Sequence, residues 1–241
     1  MLARKLLIAA GIAGSVLTGA AQAAIVVNVN GAFDNKASYT EPTSGITFTA
    51  SAGGLLNTTN ILGTNDGVGV DRTSVSDNAN EIEIGETITL STIPALAFAS
   101  FKVGLLFDGP EFGDYQEIAT FTGTNLTGAE SIYRLTATYT SAAGVTATWS
   151  GPGTVVNLSP AVQPGGAAVW QVNNPFGDQV FSSLVLGAEP GLCAPGLTCT
   201  SQSDYALMQV ALVPEPSEYA MMLAGLAAVG FMVRRRRNAA A

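Results

Sequence analysis

The side chains able to do chemistry in this chain are acids, hydroxyls and two thiols; histidine is missing altogether. Without an imidazole there is no Ser-His-Asp or Cys-His nucleophile system, no histidine general base and almost no route to a catalytic zinc. Two acidic stretches remain. The first runs from Thr64-Asn65-Asp66-Gly67-Val68-Gly69-Val70-Asp71 to Ser76-Asp77-Asn78-Ala79-Asn80-Glu81-Ile82-Glu83-Ile84-Gly85-Glu86. On loops, its Asp66, Asp71, Asp77 and Glu81, with Asn78 and Asn80, offer the hard oxygen ligands that calcium takes. Calcium is therefore a candidate cofactor. The spacing is not that of an EF-hand, and Asp and Asn making turns account for the same residues more simply. The second stretch is Asp108-Gly109-Pro110-Glu111-Phe112-Gly113-Asp114-Tyr115-Gln116-Glu117. Carboxylates beside aromatic rings would suit a sugar-binding edge. A glycosidase needs two acids opposed across a bond, and nothing in the spacing pairs any two of these.

Cys193 and Cys199 are the only thiols, in Cys193-Ala194-Pro195-Gly196-Leu197-Thr198-Cys199. In an exported protein two cysteines around a Pro-Gly turn are expected to form one disulfide that stiffens a local loop. The gap is wrong for Cys-x-x-Cys redox chemistry.

The elements that must position these residues read as strands. Candidates are 25–29, 46–50, 82–92, 95–107, 117–122, 131–140, 144–150, 154–158, 167–172, 180–186 and 205–213. Alternation is clearest in Ser131-Ile132-Tyr133-Arg134-Leu135-Thr136-Ala137-Thr138-Tyr139-Thr140 and in Gly144-Val145-Thr146-Ala147-Thr148-Trp149, with Ser141-Ala142-Ala143 as a hairpin turn. Ala95 to Phe107, rich in Leu and Phe, reads as a central buried strand bulged near Gly104. Trp149 and Trp170 fall in alternating strands and are expected in the core or on a sheet face. No segment between residues 24 and 213 carries a 3.6-residue apolar stripe. The expectation is an all-β fold, a two-sheet antiparallel β-sandwich, jelly-roll-like.

The two ends are different. Residues 1–23 have the form of a signal peptide: Arg4 and Lys5, an apolar core from Leu6 to Leu17, and the small-x-small site Ala21-Gln22-Ala23 for signal peptidase. Residues 24–213 make about 190 residues, enough for one sandwich domain. Its only bases are Lys36, Arg72, Lys102 and Arg134, so it is more acidic than the net charge of −8 suggests. Such a surface argues against nucleic acid and anionic lipid headgroups. It is compatible with divalent cations or neutral polysaccharide. After Val213 come Pro214-Glu215-Pro216, an uncharged run, and Arg234-Arg235-Arg236-Arg237, with residues 238–241 as a short tail. The prolines disfavour helix and hold the chain extended. Tyr219 to Val233 is expected as a transmembrane helix with the arginines on the cytoplasmic side. It is short: about 15 residues give roughly 22 Å of helix against a hydrocarbon core of ~30 Å. A transient anchor fits that length better than a permanent one.

Pro214-Glu215-Pro216, an apolar helix and terminal arginines, in that order, resemble the PEP-CTERM sorting signal of Gram-negative bacteria. The resemblance covers residues 214–237, about a tenth of the chain. It implies handling by an exosortase, a membrane cysteine protease that cuts near the Pro-Glu-Pro motif. Pro214, Glu215 and Pro216 would be the recognition element and Arg234, Arg235, Arg236 and Arg237 the stop-transfer block. The same C-terminal region occurs in some ice-binding proteins. Gly67-Val68-Gly69-Val70, Asn80-Glu81-Ile82 and Gly85-Glu86 are similar to a segment of PEP-CTERM sandwiches, without pointing to an activity.

The expected protein is not an enzyme. It would be exported across the inner membrane of a Gram-negative bacterium and briefly anchored through residues 219–233. From there it would be released to the cell surface or matrix, with a structural or adhesive role that the resemblance links to exopolysaccharide and biofilm. One alternative is a carbohydrate- or ice-binding module, for which the Thr-rich alternation of 131–150 could supply the face. A secreted hydrolase using carboxylates stands third, weakened by the absent histidine.

Overall fold

The computed structural model describes residues 24–72, 80–107, 115–140, 144–159, 168–193, 196, 203–213, 225–226 and 229–230. The expected signal peptide with Ala21 and Ala23, Asp77, the 108–114 cluster, Cys199, Pro214-Glu215-Pro216 and the four arginines lie outside these residues.

The chain is built from fourteen described strands. They are β1 (Ile25–Asn28), β2 (Ser38–Thr40), β3 (Thr47–Ala50), β4 (Leu55–Asn60), β5 (Asn65–Asp71), β6 (Thr87–Leu96) and β7 (Phe98–Gly104), followed by β8 (Gln116–Asn125), β9 (Glu130–Thr140), β10 (Gly144–Trp149), β11 (Thr154–Asn157), β12 (Trp170–Asn173), β13 (Phe181–Glu189) and β14 (Ala206–Leu212). They form two antiparallel sheets. One runs β11-β12-β7-β14-β5-β4, with β1 also paired to β14; the other runs β10-β9-β8-β13-β6-β3-β2. The all-β expectation holds. The 131–150 hairpin is in the register that its alternation demands, from Thr140 opposite Gly144 to Leu135 opposite Trp149.

Alternation puts Phe48, Ile88, Leu90, Phe121, Leu135, Leu184 and Leu186 of one sheet and Phe101, Val103, Val172 and Val210 of the other into a single core. Across that core Phe101 stacks on Phe121 with ring centroids 4.3 Å apart. Trp149 packs edge-on against both. Burying each such ring is worth about 1.5–3 kcal/mol. Trp170 is a core residue and Trp149 is half-buried against the core; each satisfies its indole N–H on a backbone carbonyl, Trp149 on Pro175 and Trp170 on Leu106, at 2.8 and 3.0 Å. Tyr205 is fully buried and donates its hydroxyl to the Gly187 carbonyl, 3.1 Å away. Burial pushes its phenol well above the ordinary range.

Three expectations need correction. Residues 95–107 are not one strand: β6 ends at Leu96, Ala97 lies between, and β7 starts at Phe98 in the opposite sheet. A continuous apolar run can turn a sandwich corner because both halves face the same core. The bulge near Gly104 is present, but in the partner strand. Val103 pairs with Leu207 and Lys102 with Gln209, so Met208 is the extra residue. Finally, β2, β4 and β5 were not expected, and β5 occupies the stretch read above as an acidic loop.

No helix among the described residues is long and apolar enough to cross a membrane. Residues 225–226 and 229–230 are helical, and Leu226 and Val229 are exposed. The rest of the expected helix over 219–233 is outside the described residues.

Candidate functional site

Of the acids proposed for calcium, Asp66, Asp71 and Glu81 are among the described residues, and the first two stand apart. Asp66 and Asp71 sit near opposite ends of β5, about 17 Å apart at ~3.3 Å per residue. Asp66 caps a turn: its carboxylate accepts from the backbone N–H groups of Ile61 at 2.9 Å and Leu62 at 3.2 Å. Asp71 accepts from the Asn57 side-chain amide at 2.9 Å. Glu81 joins β5 through its backbone, its carbonyl accepting from Val70 N–H at 2.8 Å. Among the described residues no group of three or more Cys, Asp or Glu could hold a metal ion. The glycines beside these acids explain the segment better. At Gly69 a Cβ would stand 2.3 Å from the Asn80 carbonyl oxygen and 2.3 Å from Glu81 Cα. The bare backbone is what lets residues 80–81 lie across β5. Asp66→Ala should therefore lower stability by about 1–2 kcal/mol through the orphaned turn amides. The urea midpoint should fall with the slope unchanged.

Of the second acidic cluster, Tyr115, Gln116 and Glu117 are described. Glu117 is buried and accepts from Phe107 N–H at 2.6 Å. Phe107 and Leu105 both have positive φ, 65° and 68°, a conformation uncommon for side chains of that size. The Glu117 carboxylate holds one of them. Its role is structural support of the chain leaving β7. At the thiols, no described cysteine is free.

The outer face of the β10-to-β2 sheet is where exposed chemistry concentrates. Registers align Ser38, Thr49, Thr89, Val185, Thr122 and Ile132 in one row across six strands. Thr40, Thr47, Ser91, Ser183 and Thr124 form the next. Thr136, Thr138, Thr146 and Thr148 extend the field over β9 and β10. Neighbouring hydroxyls bond along the rows, Ser38 to Thr49 at 3.0 Å and Thr40 to Thr47 at 2.8 Å. The charges near the middle of this face, Arg134 and Glu189, neutralise each other in a two-pronged pair. Only the β9–β10 part was anticipated from sequence. The same alternation in Thr87-Ile88-Thr89-Leu90-Ser91 and Thr120-Phe121-Thr122 was available as a signal.

The last feature is a junction. β14 lies inside its sheet, flanked on one side by β7 and on the other by β5 and then β1. Its hydrogen bonding continues to Val213, whose N–H donates to the Ala97 carbonyl at 2.9 Å. Pro214 follows directly. No curated protein and no solved structure matches the chain. One family model does match, over residues 212–237: the chain carries a PEP-CTERM protein-sorting motif that begins at the end of β14, with no linker between domain and signal.

Proposed function

We propose that this is an exported, non-catalytic surface protein whose hydroxyl-lined sheet face holds a neutral polysaccharide of the extracellular matrix. The sorting motif supports handling by an exosortase and delivery toward the cell surface. The observation that carries the binding role is the field of threonine and serine hydroxyls in register on one sheet face. Threonine is a good strand former, but valine would serve that purpose equally well. A hydroxyl both donates and accepts hydrogen bonds, which matches the hydroxyls of a sugar chain. The acidity of the domain disfavours an anionic polymer. Ordered water is the other occupant such an array could match. With about 20–25° of twist between neighbouring strands, however, a seven-stranded sheet turns through more than 100°, and a pliable chain follows that surface better than a planar lattice.

The test is Thr120→Val, Thr122→Val and Thr136→Val combined, which keeps shape and strand propensity. Three lost hydrogen bonds of about 0.5–1.5 kcal/mol each should weaken retention on the producing cells' neutral exopolysaccharide roughly tenfold or more. The thermal midpoint should stay near that of the parent. Unchanged retention would sink the reading, and loss of ice shaping in the variant would move it to ordered water.

A further inference from the structure

Four basic side chains lie between residues 24 and 213, and three are committed. Lys36 donates to the Ala32 carbonyl and stands 4.6 Å over the Tyr39 ring. Arg72 lies 3.9 Å from Glu86, and Arg134 clasps Glu189. Lys102 makes no ion pair among the described residues. It lines a pocket instead.

That pocket has a volume of about 140 Å³ and is walled by Asn28, Val29, Leu62, Asp66, Lys102, Met208 and Gln209. It opens where the sheet changes partners. The edge of β14 that pairs with β5 at Leu207 passes to β1 at Gln209, and the Met208 bulge lies between them. Val29 N–H donates to the Met208 carbonyl at 3.0 Å and closes the seam. Gln209 donates its side-chain amide to Asn28 at 2.6 Å, fixing both amides. The backbone amides of Ile61 and Leu62 hold the Asp66 carboxylate. The polar groups are thus positioned before any ligand arrives.

We propose that this pocket binds one neutral sugar unit, on the opposite sheet from the hydroxyl rows. Its wall combines an ammonium that only donates, a carboxylate that only accepts, and two amides that do both. That is the set a ring of hydroxyls needs, while Val29, Leu62 and Met208 supply an apolar wall for its C–H face. A carboxylate ligand suits the pocket less well, because Asp66 would oppose it beside Lys102. The volume falls below the ~300–1,000 Å³ of ordinary small-molecule sites, so it fits a single ring, a chain end or a branch. The inference stands on its own residues and does not require the hydroxyl face to hold a polymer.

Met208 is the only methionine between residues 24 and 213; the others are Met1, Met221, Met222 and Met232. In the full chain in detergent, labelled at methionine methyl carbons, the Met208 signal therefore reports the pocket, and Met221, Met222 and Met232 serve as controls. Titrated with glucose, galactose and mannose, at least one hexose should move the Met208 signal saturably in the millimolar range and leave the control signals in place. Lys102→Ala and Gln209→Ala should each weaken that response about tenfold, with the sugar-free spectrum otherwise preserved. The triple threonine variant should leave it unchanged, so this site and the polysaccharide face can fail separately. No hexose response, a response that survives Lys102→Ala, or preference for glucuronate would each overturn the proposal.

Discussion

Replacing Gly69 by valine is expected to abolish the native fold. The side chain would start 2.3 Å from the Asn80 oxygen, 2.3 Å from Glu81 Cα and 2.4 Å from Asn80 C, all backbone atoms with no rotamer to yield. Relief requires residues 80–81 to lift off β5. That breaks the bond from Val70 N–H to the Glu81 carbonyl and strains the next, from Ile82 N–H to the Tyr205 carbonyl, at 2.8 and 2.7 Å. Val70, Ile82 and Tyr205 are all buried. One orphaned and one strained buried donor cost up to about 1–3 kcal/mol each, and overpacking adds about 1–3 kcal/mol. The sum is comparable to the ~5–15 kcal/mol by which a domain is stable at all. Gly53→Ala supplies the contrast. Gly53 has φ of 82° with open space around it, so only the left-handed backbone penalty of roughly 1–2 kcal/mol applies. Circular dichroism melts of the two variants should separate cleanly: a lowered midpoint for Gly53→Ala and no cooperative transition for Gly69→Val. A Gly69→Val protein melting within a few degrees of the parent would refute the account of β5.

The same strand shows where sequence reading stops. β9 and β10 were legible because each pairs polar and apolar residues at period two and uses one face for the core. β5 was not, because Asn65-Asp66-Gly67-Val68-Gly69-Val70-Asp71 carries turn residues at every position except two valines. Its glycines are selected by what lies over them. Ala206 and Ile61 crowd Gly67, and the Asn80–Glu81 backbone crowds Gly69. Those contacts depend on how the chain folds back over β5, from as near as Ile61 to as far as Ala206, and leave no trace in the residue pattern of the strand itself. The crossover at Ala97 was hidden for a related reason: both halves of 95–107 face one core, so hydrophobicity never changes sign where the sheet does. The pocket at Lys102 depends on a bulge and a change of strand partner, which are features of register that composition does not encode. The sorting motif was readable because it works as a linear signal.

Substituting alanine for Pro214, Glu215 and Pro216 is expected to stop tail processing. Among the described residues the last backbone bond of β14 is made at Val213, to Ala97. A cut beyond that point leaves the described sheet pairing of β14 intact, and Pro214 has no N–H to leave unpaired. The two prolines also end any helix that extends back from residues 219–233. Exchanging each for alanine relieves a penalty of about 3 kcal/mol per position and would let the helix grow toward β14, lengthening a segment otherwise short of ~30 Å. The variant should accumulate in the membrane fraction with Arg234–Arg237 intact. The parent should appear in medium or at the surface with a mass that ends near Pro216. Exchanging the four arginines for glutamine should act differently: with the positive-inside anchor gone, uncut chain should slip out of the membrane with its tail attached. Intact mass of both fractions reads all three cases. Parent protein that keeps Arg237 and stays with the membrane would make residues 219–233 a permanent anchor, and the hydroxyl face would then act at a fixed distance from the bilayer.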